Sequence, residues 1–212
     1  FVDAPIMDEQ GNLQAIEGIA HDVTESHLLQ EKVYYQANHD PLTGLNNRYA
    51  LERLLNDELQ RLKDHGGQSV LCFIDMDQFK VVNDTCGHQA GDELLRTIST
   101  LFEQYKHNGD ILARVGGDEF VLVCSNESME GARIKISRLL NEIEQFRFCW
   151  QDKVFRVGAS AGLILLDDQI ADLEEAIRCA DIACYSAKER GRNRYHIYAA
   201  DDESIHFRQM EM

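Results

Sequence analysis

Hydrophobic and polar residues follow two different periods along this chain. Between residues 47 and about 63, leucines recur every three or four positions, which predicts an amphipathic helix. The continuous apolar run over 69–75 instead predicts a buried strand. The same patterns predict helices over 92–105, 129–146 and 170–188, a hairpin over 111–124, and strands over 154–166 and 195–198. Helices that alternate with strands, one pair of which forms a hairpin, predict an α+β domain with helices packed against its sheet.

The beginning of the chain has a pattern of its own. Residues 1–22 predict a short hairpin that turns at 8–12, because strand-like segments flank a polar turn that contains a glycine. A helix is predicted over 23–38, where Asp22 can cap the first turn and Glu25 follows three residues later. Its apolar residues lie near one face, which favours a signalling helix that pairs with its copy in a dimer. These residues are Leu28, Leu29, Val33 and Ala37.

The composition is acidic, with 37 Asp and Glu residues against 21 Lys and Arg and a formal net charge of −16. This balance argues against nonspecific binding to nucleic acid or to an anionic membrane, since both need a basic surface. A hydrophobic content of 44% over 212 residues supports one sizeable core. No signal peptide and no apolar run of about 18 residues occurs. Because the chain starts with Phe1, we expect a cytoplasmic piece of a longer protein, which could itself be membrane-attached.

The most informative segment is 114–120, in which two glycines and two acids separate two strand-like apolar runs. Gly116 and Gly117 predict a tight hairpin turn because glycine permits positive φ, and bare glycines let a ligand approach the backbone closely. The adjacent Asp118 and Glu119 can hold a metal ion or accept a proton. A plain acidic turn is the alternative on turn chemistry alone.

A second acidic position supports the chemical interpretation. Asp75 ends the first core strand, so Asp75 and Asp118 would lie at one end of the sheet if this strand neighbours the hairpin. They could then share divalent cations, as in two-metal sites. Asp77 follows two residues later, and it could equally cap the next helix. No P-loop, dinucleotide-binding or zinc-protease motif occurs in the chain.

Further segments extend this pattern over most of the chain. They read DPLTGLNNR at 40–48, FIDMDQFK at 73–80, ND at 83–84, GH at 87–88, GD at 91–92 and AKERGRNR at 187–194. Together with Gly-Gly-Asp-Glu-Phe at 116–120, their order and spacing resemble the GGDEF family, the bacterial diguanylate cyclases, over residues 39–199. The resemblance implies a palm-like sheet similar to that of nucleotide cyclases and polymerases.

The resemblance also implies an activity and an assembly. Such an enzyme condenses two GTP molecules into cyclic di-GMP, a bacterial second messenger, and releases two pyrophosphates with the help of Mg²⁺ or Mn²⁺. Each domain holds one GTP, so a two-fold homodimer follows from the chemistry. The alternative is a catalytically silent GTP-binding module that regulates an attached phosphodiesterase domain in signal transduction.

The family assigns roles residue by residue. Asp75, the backbone carbonyl of Met76 and Asp118 would be the metal ligands. Asp118 or Glu119 would help deprotonate the 3′-hydroxyl, and Lys80 would contact phosphate and stabilise developing charge. A surface lysine is the alternative for Lys80.

The remaining assignments concern substrate binding. Asn83 and Asp92 would recognise guanine, since Asn can donate and accept and Asp can accept from the N1 and N2 groups; helix capping is the alternative. Lys188 and Arg192 are four residues apart at the end of a helix, so they share a face and would bind the β- and γ-phosphates. Basic residues that merely complement the helix dipole are the alternative. Arg114 could reach the substrate or brace the acids. Phe79, Gly116 and Gly117 complete the set of predicted substrate contacts with His88, which would line the base pocket or only brace its loop.

Both ends of the chain, and one internal position, need separate expectations. Residues 1–22 resemble the C-terminal end of a PAS sensory domain, with an arbitrary hairpin as the alternative. Residues 200–212 resemble the connector that precedes an EAL phosphodiesterase domain.

Many family members have Arg-x-x-Asp before the signature, where it forms an inhibitory product site. Here His107 stands in place of the arginine, although Asp110 is present. Histidine lacks the fixed charge and the paired donors of a guanidinium, so we expect weak product inhibition.

Overall fold

The computed structural model describes residues 2–8, 10–19, 22–167, 170, 172–199 and 202. The chain divides into two compact units, Phe1–Ala37 and Asn38–Met212. Of the predicted connector over 200–212, only residue 202 lies among the described residues.

The first unit contains the predicted hairpin and most of the predicted helix. Strands β1 (Val2–Met7) and β2 (Leu13–Ile19) pair antiparallel. The Asp8 carboxylate accepts backbone N–H groups within the turn. Helix α1 (Thr24–Asn38) begins beside Asp22, whose Oδ1 accepts the Thr24 N–H at 2.9 Å, so the predicted cap is confirmed.

The second unit is a five-stranded sheet with the strand order β4-β5-β3-β8-β9, flanked by helices, which confirms the predicted α+β class. All neighbours in this sheet are antiparallel except β8 and β9. None of the described helices is long and apolar enough to span a bilayer. The elements are α2 (Arg48–His65), β3 (Ser69–Asp77), α3 (Phe79–Cys86), α4 (His88–Tyr105), β4 (Ile111–Arg114), β5 (Glu119–Cys124), α5 (Met129–Gln145), β6 (Arg147–Trp150), β7 (Lys153–Arg156), β8 (Gly158–Leu166), α6 (Leu173–Glu189) and β9 (Tyr195–Ile197).

The central strand β3 organises both cores because its side chains alternate between the two faces of the sheet. Cys72, Ile74 and Met76 pack on one face with α4 and α5, whereas Leu71 and Phe73 pack on the other with α2 and α6. Asp75 follows the second set, so its carboxylate lies on the α6 face. A Cβ at Gly162 of β8 would overlap the backbone of α6 at Ala180 and Cys184. This glycine therefore lets the helix rest directly on the sheet.

Two predicted elements differ from the structure. The single strand predicted over 154–166 is wrong, because the chain breaks at Val157 into β7 and β8. β7 instead pairs with β6 in a separate two-stranded hairpin, where Phe148 stacks on Trp150 with ring centroids 6.2 Å apart. The helix predicted over 92–105 begins earlier, at His88, and the short helix α3 precedes it.

Candidate active site

The end of β3 and the tip of the β4–β5 hairpin lie side by side. Asp75 is the register partner of Glu119 in the antiparallel ladder, and the Met76 N–H donates to the Asp118 carbonyl at 3.1 Å. The expectation that β3 neighbours the hairpin is therefore confirmed. The carboxylates of Asp75, Asp118 and Glu119 are close enough to influence one another electrostatically.

The hairpin tip is braced by an arginine that joins two distant segments. Arg114 Nη1 lies 2.9 Å from Asp40 Oδ1, and its Nη2 donates to the Gly117 carbonyl at 2.8 Å. Burial alone would raise the pKa of Asp40, but hydrogen bonds from Thr43 and Arg114 outweigh it and hold that pKa below its usual value. Arg114 thus ties the hairpin tip to Asp40, while a brace of Asp118 and Glu119 and a contact with substrate stay predictions.

The two signature glycines differ from each other. Neither has a positive φ, so the turn does not use the left-handed conformation that glycine permits. A Cβ at Gly116 would overlap the Glu119 carboxylate, which shows that this glycine makes room for the acid. Gly117 is exposed and has open space around it, as a backbone that receives a ligand would.

Asp75 forms an ion pair with the end of α6. Lys188 Nζ lies 2.7 Å from Asp75 Oδ2, and the Asp75 side chain is 14% exposed. Burial raises the pKa of Asp75 to about 6; Lys188 counteracts this, whereas Asp118 and Glu119 add to it. Burial would lower the pKa of Lys188, but the contact with Asp75 outweighs it and raises that pKa. Both groups are therefore charged at neutral pH, and the carboxylate is only partly compensated.

Glu119 has the environment of a proton acceptor. Burial raises its pKa, and the Asp181 and Asp118 carboxylates raise it further. A carboxylate whose pKa is closer to neutral accepts a proton more readily in a reaction at pH 7.

The start of α3 and the adjoining part of α4 form the second half of the candidate site. Phe79 is the first residue of α3, and the N-cap Gln78 makes no side-chain capping bond. The first turn of α3 therefore lacks a capping side chain, and Lys80 in this turn is exposed. Asn83 Oδ1 is buried and has no hydrogen-bond partner among the described residues. A Cβ at Gly91 would overlap it, and the half-buried Asp92 comes next on α4.

An unused buried acceptor beside a carboxylate is suited to a ligand that brings N–H donors. His88, in contrast, is exposed at the first turn of α4. The structure thus places Asn83 against Gly91, which directly precedes Asp92, whereas His88 is exposed.

The segment after α6 departs from the helical expectation. The helix ends at Glu189, so the prediction that Lys188 and Arg192 share a helical face is wrong. Arg192 and Asn193 have φ values of 56° and 49°, in the left-handed region. The Asn193 N–H donates to Asp77 Oδ2 at 2.9 Å and holds this turn against the end of β3.

Asp77 is a residue whose role the sequence left undecided. It is buried, and the Ser160 hydroxyl donates to its two carboxylate oxygens at 2.9 and 3.0 Å. Asp77 thus anchors the turn that carries Arg192. Asp40 was missed altogether, since nothing in the sequence indicates that it meets Arg114.

The donor set fits a divalent cation. No three His, Cys, Asp or Glu side chains converge into a preformed metal cage within the described part of the chain. Two carboxylates and a main-chain carbonyl at Met76 are what magnesium needs when phosphate and water complete its shell. A bound divalent cation would stabilise the negative charges of these acids, which protein groups only partly compensate. The acids are Asp75, Asp118 and Glu119.

Comparisons with known proteins agree with this geometry. The family described as "Diguanylate cyclase, GGDEF domain" matches residues 37–194. The chain is 41% identical over 188 residues to the probable diguanylate cyclase DgcE of Escherichia coli K12, covering 89% of this chain and 17% of that protein. It is 34% identical over 187 residues to the cyclic di-GMP phosphodiesterase PdeR of the same strain, covering 85% and 27%. The chain thus spans less than a third of each relative.

Solved structures extend the agreement to the fold. The coiled coil and GGDEF domain of DgcB from Caulobacter crescentus, in complex with c-di-GMP, aligns with a TM-score of 0.78 at 25% identity, covering 82% of this chain and 93% of that one. The family match covers the β3 end, the hairpin, α3, α4 and the Lys188–Arg192 segment alike. This chain belongs to the GGDEF domain family of diguanylate cyclases.

Proposed function

We propose that this domain condenses two GTP molecules into cyclic di-GMP and two pyrophosphates. The observation that carries the proposal is the meeting of Asp75, Asp118 and Glu119 at one end of the sheet, beside the open N-terminus of α3. Phosphoryl transfer needs charge neutralisation and an in-line nucleophile more than covalent help from the protein. Carboxylates that could share a cation with the phosphates, next to the uncapped N-terminus of α3, would supply those requirements.

Each group has a proposed task. Asp75, Asp118 and the Met76 carbonyl would hold Mg²⁺ or Mn²⁺, which supplies positive charge at the phosphates. Glu119 or Asp118 takes the proton of the 3′-hydroxyl. The oxygen of this hydroxyl forms a bond to the α-phosphorus of the other GTP. The bond from that phosphorus to the β-phosphate oxygen breaks, and pyrophosphate leaves. Lys80 stabilises the charge that develops.

Binding of the nucleotide uses the remaining residues. Asn83 Oδ1 and the Asp92 carboxylate accept from the guanine N–H groups, and this gives the buried Asn83 oxygen the partner that it lacks among the described residues. Lys188 and Arg192 bind the β- and γ-phosphates. Asp75 would then hold the cation in place of Lys188, and its single ion-pair contact permits this change of partner.

Ring closure requires two domains that face each other, since each holds one GTP. Helix α1 supports such a homodimer, because Leu28, Leu29 and Val33 are all exposed on it. We place the enzyme in the cytoplasm, where GTP is available. The PAS-like part before residue 23 and an EAL domain beyond residue 212 stay proposals for the longer protein.

A second function, GTP-dependent regulation of an attached phosphodiesterase, is supported by the similarity to PdeR. Incubation of the protein with GTP and Mg²⁺, followed by chromatography for cyclic di-GMP, separates the two functions. We expect product from the wild-type chain and none from Asp118→Ala. GTP binding without product in the wild type would favour the regulatory role, and product from Asp118→Ala at the wild-type rate would refute the mechanism.

A further inference from the structure

A cavity of about 390 Å³ opens beside the end of β3, outside the acid cluster. Three arginines line it: Arg147 at the start of β6, Arg156 at the end of β7, and Arg192 in the turn after α6. We call it the arginine cavity. Only Arg192 belongs to the candidate active site described above, so the cavity extends that site toward the β6–β7 hairpin.

The arginines of the cavity are poorly compensated by protein groups. Arg147 Nη1 donates to the carbonyls of Glu144 and Phe146 at 2.8 and 2.9 Å, which fixes it at the end of α5. The side chains of Arg156 and Arg192 make no hydrogen bond or ion pair with the described residues. All three arginines are exposed, so water solvates their charges, but their convergence on one cavity in a chain with a net charge of −16 favours an anionic ligand.

The acids that line the cavity do not cancel these charges. Asp77 already accepts hydrogen bonds from the Ser160 hydroxyl and the Asn193 N–H. Glu144 is the other acid in the lining, so three cations face two anions. Three cations against two anions leave the lining with a net positive charge, and its charged donors are the guanidinium groups.

The turn that carries Arg192 is built at a conformational cost. Two consecutive residues other than glycine, Arg192 and Asn193, are left-handed, a state that costs about 1 kcal/mol or more per residue and persists where the surroundings enforce it. Asp77 supplies that enforcement through the Asn193 N–H. The Asn193 Oδ1 atom is buried and has no partner in the part of the chain that the structure describes. This turn therefore holds Arg192 between the candidate active site and the arginine cavity.

We propose that the arginine cavity binds a diphosphate group, and that Arg147 and Arg156 are its specific determinants. The proposal rests on the proposed function for the source of this group, which would be the pyrophosphate that leaves or the β,γ-phosphates of GTP. Guanidinium forks match pairs of phosphate oxygens, and several of them together suit a dense polyanion. Arg192 joins the cavity to the phosphate end of the substrate, so the group has a continuous cationic path.

The test is calorimetric titration of the full chain with inorganic pyrophosphate, without divalent metal. We expect the double variant Arg147→Gln/Arg156→Gln to bind at least about tenfold more weakly than wild type, the order that a lost hydrogen bond between charged groups implies. Arg156→Gln alone should also weaken binding severalfold. This single variant guards against a folding defect, since Arg156 has no side-chain partner among the described residues.

The matched control is Arg53→Gln/Arg96→Gln, which removes the same charge from α2 and α4 surfaces outside the cavity. It should leave the affinity for pyrophosphate unchanged. Equal weakening by the control, or no weakening by either cavity variant, would overturn the proposal. A parallel titration with a nonhydrolysable GTP analogue distinguishes the sources. Weakening for pyrophosphate alone indicates a product exit site, and weakening for both indicates that the triphosphate extends into the cavity.

The outcome is separable from the proposed function because the titration needs no turnover. If the chain makes no cyclic di-GMP but binds pyrophosphate through Arg147 and Arg156, the site stands and the proposed function fails. If cyclic di-GMP forms while pyrophosphate affinity is insensitive to both arginines, the function stands and the site fails.

Discussion

Replacing Lys135 by methionine should destabilise the domain by about 3 kcal/mol, because it leaves a buried carboxylate without its counterion. Lys135 Nζ lies 2.7 Å from Asp110 Oδ2, and the two side chains are 6% and 2% exposed. Burial would lower the pKa of Lys135, but the hydrogen bond to Asp110 outweighs it and raises that pKa. The pair is thus ionised and almost completely removed from water.

The magnitude follows from what remains around Asp110. Breaking a buried ion pair on one side typically costs about 3–5 kcal/mol. Asp110 keeps two backbone donors, the His107 N–H at 2.9 Å and the Ser125 N–H at 3.1 Å. These partly stabilise the lone charge, so we expect the lower end of that range. Removing both charges, as Asp110→Asn/Lys135→Met, should recover part of the loss, because no buried charge is then left. Recovery is incomplete because the single amide oxygen of an asparagine can accept only one of the two backbone N–H groups.

Urea unfolding followed by tryptophan fluorescence measures the effect, since Trp150 is the single tryptophan of the chain. Lys63→Met is the matched control because Lys63 is exposed on α2, and it should change the stability by no more than about 0.5 kcal/mol. A loss below about 1 kcal/mol for Lys135→Met, or a double variant as unstable as the single one, would refute the reasoning that Asp110 is a structural anion.

Three further predictions concern ligands. Asp92→Ala should weaken binding of a GTP analogue by about 1–3 kcal/mol and of an ATP analogue much less, and equal losses in a titration would contradict guanine recognition. Mg²⁺ should raise the melting temperature of the wild type but hardly that of Asp75→Asn. Because burial raises the pKa of Asp75 to about 6, protons should abolish this Mg²⁺ effect between pH 7 and 5; a pH-independent effect would exclude Asp75 as a ligand. Calorimetry with the active site blocked should detect no micromolar binding of cyclic di-GMP at His107–Asp110, and tight binding that His107→Ala removes would contradict this.

The structure strengthens that last expectation for a reason invisible in the sequence. Asp110 is not available to a ligand, since Lys135 and two backbone N–H groups already occupy its oxygens. Lys135 lies 25 positions away on α5, and nothing in the local pattern around Asp110 points to it. The histidine at position 107 is evident from the sequence, whereas the burial of Asp110 and its ion pair with Lys135 are not.

The elements set by local pattern were predictable, and those set by tertiary contacts were not. The leucine period of α2 and the apolar run of β3 predicted both elements within a few residues. The break at Val157 was not predicted, because the β-like run continues through it and only the pairing of β6 with β7 reveals the separate hairpin. In the site, the Asp40–Arg114 contact spans 74 positions and could not be inferred from spacing.

Asp75 and Asp77 show why residue type and position alone do not assign a role. They lie two residues apart on one strand, so both carboxylates are on the α6 face of the sheet. Asp77 receives the Ser160 hydroxyl and the Asn193 N–H, which bind its oxygens and fix the turn of Arg192. Asp75 has one ion-pair partner, Lys188, and lies against further acids, so its charge remains available to a cation. The difference arises because Lys188 of α6 contacts Asp75, whereas Ser160 of β8 contacts Asp77. The sequence of β3 does not indicate either contact. The buried Asp77 carboxylate thus holds the turn that the arginine cavity and the candidate active site share, whereas the Asp75 carboxylate stays available to the proposed cation.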